Sequence, residues 1–390
     1  MKIALIHDYL VQYGGAERVL ECFLELFPRA PIYTLVYDHK LLNKAFGKKD
    51  IRTSFLQKIP LSRKEHRLFP IFMPMAVEQF DLSHYDVVLS DSSSYAKGVI
   101  TKPGTLHICY CHTPMRYARD DCHKYTKEFY YPSFIKKIVP LGMNYIRLWD
   151  KLAARRVDYF IANSSLVKNR VKKYYQAESE IIYPPVFLEN FKLKTAATAT
   201  ASAGQNKIQR YSSQSGYYLM VGRLVPYKKF DLGVEVFNQL GLPLKIVGDG
   251  PEFEHLKKLA RSNVELVGGL ESSGKKLVQI YQNCKALIYP QEEDFGLVPL
   301  EAMACGRPVI AFKKGGALET VKQGVTGIFF HEQNPVSLRK AVRRFEKIQD
   351  NFQPRLIRKH ATAFNKQRFK KQILSFIEKK YKLYQTQFNP

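Results

Sequence analysis

Ala286-Leu287-Ile288-Tyr289-Pro290-Gln291-Glu292-Glu293-Asp294-Phe295-Gly296-Leu297-Val298-Pro299-Leu300-Glu301-Ala302-Met303-Ala304-Cys305-Gly306 reads as a buried strand, a polar turn and a helix start. The apolar run 286–289 has the character of a parallel strand, and residues 297–304 that of the helix after it. Gly296 makes the turn, and Pro299 falls in the first helical turn, where its missing N–H does no harm. The turn therefore lies at the carboxyl end of a strand. In open α/β sheets ligands bind at that edge, and the unpaired N–H groups of a helix start suit a phosphate. Two glutamates, Glu293 and Glu301, are separated by seven residues here. A carboxylate repels a phosphate, so they fit neutral hydroxyls flanking one, a sugar on one side and a ribose on the other. Taken alone, the pair reads more simply as an exposed helix residue and a first-turn carboxylate near the helix dipole. The surrounding sequence reverses that preference.

With 390 residues the chain has room for two domains, and a hydrophobic share of 45% gives each an ordinary core. No apolar run approaches the roughly 18 residues that span a bilayer, and Met1-Lys2-Ile3-Ala4-Leu5-Ile6-His7-Asp8 turns polar too early for a signal peptide. These features predict a cytoplasmic protein, or one held peripherally on the inner face of the membrane. Among six cysteines only Cys109, Cys111 with His112, and Cys122 with His123 invite comparison with metal-ligand spacing. No second close pair completes a tetrahedral set, so buried free thiols, no structural metal and no disulfides are expected.

A formal charge of +26 suits nucleic acid, an anionic membrane, or a solvated lysine-rich surface. No zinc-finger spacing, RNA-binding sheet pattern or helix-turn-helix accompanies it, so no nucleic-acid partner is expected. Segment 55–80 mixes apolar residues with Lys58, Arg63, Lys64 and Arg67, and Phe134-Ile135-Lys136-Lys137-Ile138 repeats the mixture. Both fit an anionic membrane surface or an ordinary amphipathic helix.

Strand-like runs at 2–7, 32–37, 87–90, 106–111, 159–163 and 181–183 alternate with helical stretches, and the pattern restarts at 217–221, 244–247, 264–267, 286–289, 309–311 and 327–330. This predicts two doubly wound parallel sheets. Residues 194–216, rich in Ala, Thr, Ser and Gln, read as a flexible linker or insertion. Phe369, Ile373, Phe376, Ile377 and Tyr381 recur at helical spacing.

After the run 217–221 comes Gly222-Arg223-Leu224-Val225-Pro226-Tyr227-Lys228, which places two cations at a strand's carboxyl end. Val247-Gly248-Asp249-Gly250-Pro251 supplies a tight turn but not the full dinucleotide fingerprint, because residue 253 is Phe. Gly268-Gly269 follows the next strand. In the first half, Gly14-Gly15-Ala16-Glu17 follows strand one, either letting a ligand phosphate or acceptor approach or simply opening a helix. Cys111-His112-Thr113-Pro114-Met115-Arg116-Tyr117 follows another strand, and Ser92, Ser93, Ser94, Lys97, Asn163, Ser164 and Arg170 lie at comparable edges.

Glu293 and Glu301 in the setting EDFGLVPLEAMACGRPVIAF, with Gly222-Arg223-Leu224 and Lys228, resemble the signature of the retaining glycosyltransferases of family 4. The resemblance implies the GT-B fold, α/β with two Rossmann-like doubly wound domains facing a central cleft. It implies an acceptor domain at 1–190, a linker at 191–216, a nucleotide-sugar domain at 217–365, and a final helix at 366–390 returning to the first domain. It assigns Arg223 and Lys228 to the leaving diphosphate, Glu301 to the ribose, and Glu293 with Phe295, Gly296 and Leu297 to the surroundings of the sugar. Gly248, Gly250 and Gly268 border the nucleotide, His112 faces the transferred sugar, and Gly14 and Gly15 serve acceptor or phosphate. Gly269 stands where the family more often has a basic or aromatic residue.

The implied activity is metal-independent retaining transfer of a hexose from a nucleotide-diphospho-sugar, with no separate cofactor, to a glycan or lipid-linked acceptor in cell-surface polysaccharide or glycolipid synthesis. The sequences around His112 and Glu293 look most like mannosyltransferases using GDP-mannose. Rival readings are a nucleotide-sugar epimerase of the same fold, a glycoside hydrolase using paired carboxylates, and a basic nucleic-acid-binding protein.

Overall fold

The computed structural model describes residues 1–120, 133–194, 216–271 and 274–388, with the side chains of residues 64, 67, 133–139 and 388 outside that description. Its contacts divide the chain into two units, Met1–Pro185 with Phe369–Pro390, and Val186–Arg368.

In the first unit the described strands are β1 (Ile3–His7), β2 (Ile32–Thr34), β3 (Ile51–Thr53), β4 (Val87–Ser92), β5 (Leu106–Cys111), β6 (Tyr159–Ala162) and β7 (Ser179–Ile181). They form one sheet in the order β3-β2-β1-β4-β5-β6-β7, and every pairing is parallel. β1, β4 and β5 are buried along their whole length, which is why they show no alternation of apolar and polar residues; the polar residues they carry, His7 and Ser90 to Ser92 among them, gather chiefly at their carboxyl ends. The winding reverses between β1 and β4, so their carboxyl ends open a crevice of the kind that binds ligands in such sheets.

In the second unit β8 (Tyr218–Val221), β9 (Leu244–Val247), β10 (Val264–Gly268), β11 (Leu287–Tyr289), β12 (Val309–Phe312) and β13 (Gly327–Phe330) form a second parallel sheet. Its order is β10-β9-β8-β11-β12-β13, and the reversal falls between β8 and β11. The helix Leu297–Ala304 follows β11 over the residues its sequence indicates, and it is buried from Pro299 to Ala304. No helix among the described residues is long and apolar enough to cross a membrane.

Several details differ from the sequence reading. The edge strand β3 was not anticipated, because three half-exposed residues carry little apolar signal. The strand expected at 181–183 runs instead over Ser179–Ile181, since Pro184 and Pro185 follow and the residue before a proline leaves the ladder early. The first unit ends at Pro185 rather than residue 190. Val186 N–H donates to the Phe364 carbonyl at 2.9 Å, Phe191 packs edge-on against Tyr281 at 5.7 Å, and Arg358 donates to the Phe191 carbonyl at 2.5 Å. Residues 186–191 therefore belong to the second core. The expected linker is likewise packed at its start, where Lys194 Nζ meets Asn283 Oδ1 at 2.9 Å; residues 195–215 lie outside the described residues.

The last helix, Lys366–Phe388, buries Phe369, Ile373, Phe376 and Ile377, with Tyr384 continuing the row in place of the half-exposed Tyr381. Phe369 is fully buried, stacked on Phe23 at 5.9 Å and set edge-on to Tyr110 at 5.7 Å. The helix thus completes the first unit's core from the far end of the chain. Phe369→Ala should destabilise that unit by about 3–5 kcal/mol, read as a lower denaturant midpoint from near-ultraviolet circular dichroism.

Candidate functional site

The switch point of the second unit gathers the residues singled out in sequence. Lys228 Nζ and Glu293 Oε1 lie 2.9 Å apart. The other carboxylate oxygen of Glu293 accepts the Tyr289 hydroxyl hydrogen at 2.6 Å. Burial works against the Glu293 charge, but Lys228 and the hydrogen bonds from Tyr289 and Gln291 outweigh it and hold the carboxyl below its usual range. Burial likewise opposes the Lys228 charge, and Glu293 carries it above the ordinary lysine value. Both groups are therefore ionised near neutrality, as a half-buried pair must be to repay its desolvation. The cation and the carboxylate expected to serve separate parts of a ligand are joined to each other here. Arg223 is exposed at the end of β8. Gln291 Oε1 is buried with no hydrogen-bond partner, a vacant acceptor beside Glu293 of the kind that marks a site rather than a core.

Glycines shape this edge. Gly296 holds φ +89°, and a Cβ there would lie 2.5 Å from the Tyr289 hydroxyl that grips Glu293. A Cβ on Gly248 would lie 1.8 Å from the Gly222 carbonyl, and one on Gly250 2.3 Å from that of Leu224. Close approach of neighbouring backbone requires these two glycines; they let the loop after β9 close onto the loop that carries Arg223. Gly268 ends β10, where its carbonyl accepts the Gly248 N–H at 3.0 Å. A Cβ on Gly269 would lie 1.9 Å from Asp249 Oδ2, so a larger residue there would require the Asp249 carboxylate to turn aside. Phe295 is buried against Phe364 at 5.9 Å, so its ring belongs to the core and only its backbone borders the loop. Leu297 opens the helix half-buried. Glu301 is 4% exposed and accepts the Tyr281 hydroxyl hydrogen at 2.9 Å, which rules out the solvent-facing reading.

At the switch point of the first unit, Asp91 is buried at the end of β4. One of its oxygens meets His112 Nε2 at 2.6 Å and the other His7 Nδ1 at 2.9 Å. On its far side, His7 Nε2 faces Glu17 Oε1 at 3.6 Å, and Glu17 accepts the Gly14 N–H at 2.7 Å. A continuous line therefore runs from the start of helix Gly15–Leu26 through Glu17, His7 and Asp91 to His112. Burial alone would lower the His7 imidazole, but the two carboxylates push it up to about 10. Burial opposes the Asp91 charge, and the two histidines hold its carboxyl below the ordinary value. With Nε2 directed at Asp91, Nδ1 is the His112 nitrogen that Asp91 leaves to other partners. The carbonyl of His112 accepts Asn163 Nδ2 at 2.9 Å, while Asn163 Oδ1 is buried and unpaired.

Asp8 follows β1 and accepts the N–H groups of Ser93, Tyr95 and Ala96 at 2.6–2.7 Å. It thereby fixes the turn after β4. The Gly14-Gly15 segment is a helix start, with Gly14 N–H engaged by Glu17. The weaker candidates are structural. Lys97 is buried, bonded to the Ser94 carbonyl and 2.6 Å from Asp150. Ser92 Oγ accepts the N–H of Ser94 and Lys97, Ser164 caps helix Ser165–Tyr175, and Arg170 meets Asp120 at 2.6 Å. Sequence reasoning missed His7, Glu17 and Asp91 as partners of His112. The available signal was that His7 and Asp91 stand at or just after the ends of strands predicted to be parallel, and that Glu17 lies in the first turn of the helix after the first of them. Among the described residues no group of three His, Cys, Asp or Glu side chains is arranged to hold a metal ion. Cys22, Cys109, Cys111, Cys284 and Cys305 are buried free thiols, and Cys122 and His123 lie outside the described residues.

Two parallel-sheet α/β units, each wound with its own switch point, are the architecture of the GT-B class. Solved structures agree in fold. The Anabaena protein HepE in complex with UDP and glucose is similar at TM-score 0.68 and 19% identity, covering 97% of this chain and 99% of that one. Sucrose-phosphate synthase from Thermosynechococcus elongatus is similar at TM-score 0.74 and 18% identity, covering 97% and 100%. A family model described as Glycosyltransferase Family 4 matches residues 13–190, and one described as Glycosyl transferases group 1 matches residues 205–377. The chain belongs to this family of glycosyltransferases. Its curated relatives include the uncharacterized glycosyltransferase MJ1178 of Methanocaldococcus jannaschii, 27% identical over 50% of this chain and 52% of that protein. The match thus spans about half of that relative's length. The human alpha-1,3/1,6-mannosyltransferase ALG2 is 24% identical over 70% of this chain and 68% of its own.

The raised His7 value has a defined consequence. Its charged form is favoured by the fold, so this stabilisation is complete below the ordinary value of 6.5 and is lost as pH rises through about 10. Replacing His7 by Gln should flatten the fall in melting temperature of the first unit between those two pH values, relative to the wild type, in a scanning calorimeter.

Proposed function

We propose that this glycosyltransferase is a retaining, metal-independent hexosyltransferase that moves mannose from GDP-mannose to a glycan or lipid-linked acceptor in cell-surface polysaccharide or glycolipid synthesis. The observation that carries the reading is the Lys228–Glu293 pair at the second unit's switch point, with Arg223 beside it on the loop after β8. The choice of mannose is supported by similarity to mannosyltransferases of the ALG2 type. A nucleoside-diphosphate donor is supported by fold similarity to a protein solved with UDP and glucose.

In this mechanism the donor's diphosphate lies against Arg223, Lys228 and the N–H groups that open helix Leu297–Ala304. Glu301 takes the ribose hydroxyls. Glu293, released in part from Lys228 by the incoming phosphate, accepts a sugar hydroxyl, and Gln291 Oε1 offers a second acceptor nearby. The bond from the sugar's anomeric carbon to the diphosphate oxygen breaks, and its electron pair goes to the phosphate. The acceptor oxygen forms its bond on the same face of the sugar, and its proton passes to that phosphate oxygen. Arg223 and Lys228 carry the charge that accumulates there, where fixed cations act most strongly. His112, with Nε2 committed to Asp91, is assigned a catalytic role through its remaining ring nitrogen Nδ1 at the first unit's own switch point. No protein nucleophile is required.

Glu293→Gln should lower kcat/KM by roughly 100-fold with the fold intact by circular dichroism, assayed with GDP-mannose in buffer containing EDTA. Undiminished turnover would remove Glu293 from the site, and activity confined to UDP-glucose would overturn the assigned donor. Lys228→Ala should weaken GDP binding at least tenfold by calorimetry; equal affinity would separate Lys228 from the leaving group.

A further inference from the structure

The helix Ser133–Ala154 turns two unlike faces outward and inward. Ile146, Trp149 and Ala153 are buried in the first unit's core. Leu141, Tyr145, Leu148 and Leu152 are 73%, 49%, 61% and 49% exposed. At about 100° per residue these four fall within an arc of roughly 60°, a narrow apolar row facing away from the core.

A second apolar group adjoins it. Leu61, Leu68, Ile71, Phe72 and Met75 are each at least half exposed. The two segments touch: a Cβ on Gly142 would lie 3.6 Å from Ile71 Cδ1. They are also tied together, because Trp149 Nε1 and Arg156 Nη1 both donate to Glu78 Oε1, at 2.8 and 2.6 Å. Single exposed leucines are ordinary on a soluble protein, but nine large apolar side chains on adjoining segments form a surface that water solvates poorly.

The exposed charges in these segments are mainly cationic. Lys58, Arg63, Lys151 and Arg155 are exposed, against Glu65 as the exposed acid among the described residues of segments 58–75 and 140–155. Lys151 and Arg155 flank the apolar row on the same side of the helix. Interfaces between proteins tend to exclude lysine, whereas an apolar row with a cationic flank suits a bilayer whose headgroups are anionic. The formal charge of +26 on the whole chain favours the same partner.

We propose that this face of the first unit, formed by Leu141, Tyr145, Leu148 and Leu152 with Ile71 and Phe72, docks the protein on an anionic lipid bilayer without crossing it. It deepens the reading of a lipid-linked acceptor and rests on that reading for its purpose, but vesicle binding requires no turnover and is tested separately.

The test is sedimentation of the full chain with vesicles of phosphatidylcholine alone or mixed with phosphatidylglycerol. Wild type should partition at least about tenfold more strongly onto the anionic vesicles. The double variant Leu141→Asp with Leu148→Asp should lose at least tenfold of that partitioning while keeping its circular dichroism spectrum. A control pair in the second unit, Leu318→Asp with Val336→Asp, exposed singly elsewhere, should bind as wild type does. Equal partitioning of the Leu141 and Leu148 variant, or no preference for anionic vesicles, would overturn the proposal. So would wild-type self-association that this variant abolishes without any vesicle binding, since the face would then join two proteins. Glu293→Gln should bind vesicles as wild type does; if it also transferred sugar normally, the catalytic assignment would fail and this one would stand.

Discussion

Parallel strands bring every carboxyl end of a sheet to one edge, and this chain concentrates buried charge at two such edges. The requirement is topological before it is chemical. Where winding reverses, between β1 and β4 in one unit and between β8 and β11 in the other, no crossover helix covers the strand ends. Side chains placed there are held by a rigid sheet yet are not sealed by a neighbouring layer. A carboxylate or imidazole can therefore be positioned closely and still meet a ligand.

The two edges manage the cost of desolvation differently. In the first unit Asp91 has both oxygens occupied by imidazoles, and His7 is in turn held between Asp91 and Glu17. Such a closed line is rigid, because opening any link strands a buried charge. In the second unit Lys228 and Glu293 satisfy one another, with Tyr289 as the third member. Both remain partly exposed, so the pair can exchange its partner for a ligand at modest cost. One arrangement fixes a residue; the other stands ready to rearrange.

How much of this was legible depended on the range of each interaction. β5, β9, β13 and helix Leu297–Ala304 fall where their own residues indicate, because a fully buried strand and a glycine-led helix start are local signals. β3 escaped notice because three half-exposed edge residues have no such signal. Arg223, Lys228, Glu293 and Glu301 were legible as a set through the resemblance to a family. Their mutual pairing was not, since Lys228 meets Glu293 only through the sheet order. His7 and Asp91 are 84 residues apart, and nothing in either neighbourhood announces the other. Lys97 was misjudged for the same reason: its partner Asp150 lies on a helix more than fifty residues on, and a lysine at a strand end gives no sign that it is buried.

The buried thiols carry a practical consequence. Cys22, Cys109 and Cys111 lie in the first unit and Cys284 and Cys305 in the second. Burial pushes the thiols of Cys284 and Cys305 up to about 12 and raises that of Cys111 well above its ordinary value too, so the reactive thiolate is scarce as well as shielded. Alkylation of these positions would have to wait for the surrounding core to open. Mass-resolved modification at each cysteine would then time the opening of one unit independently of the other, with no foreign label introduced.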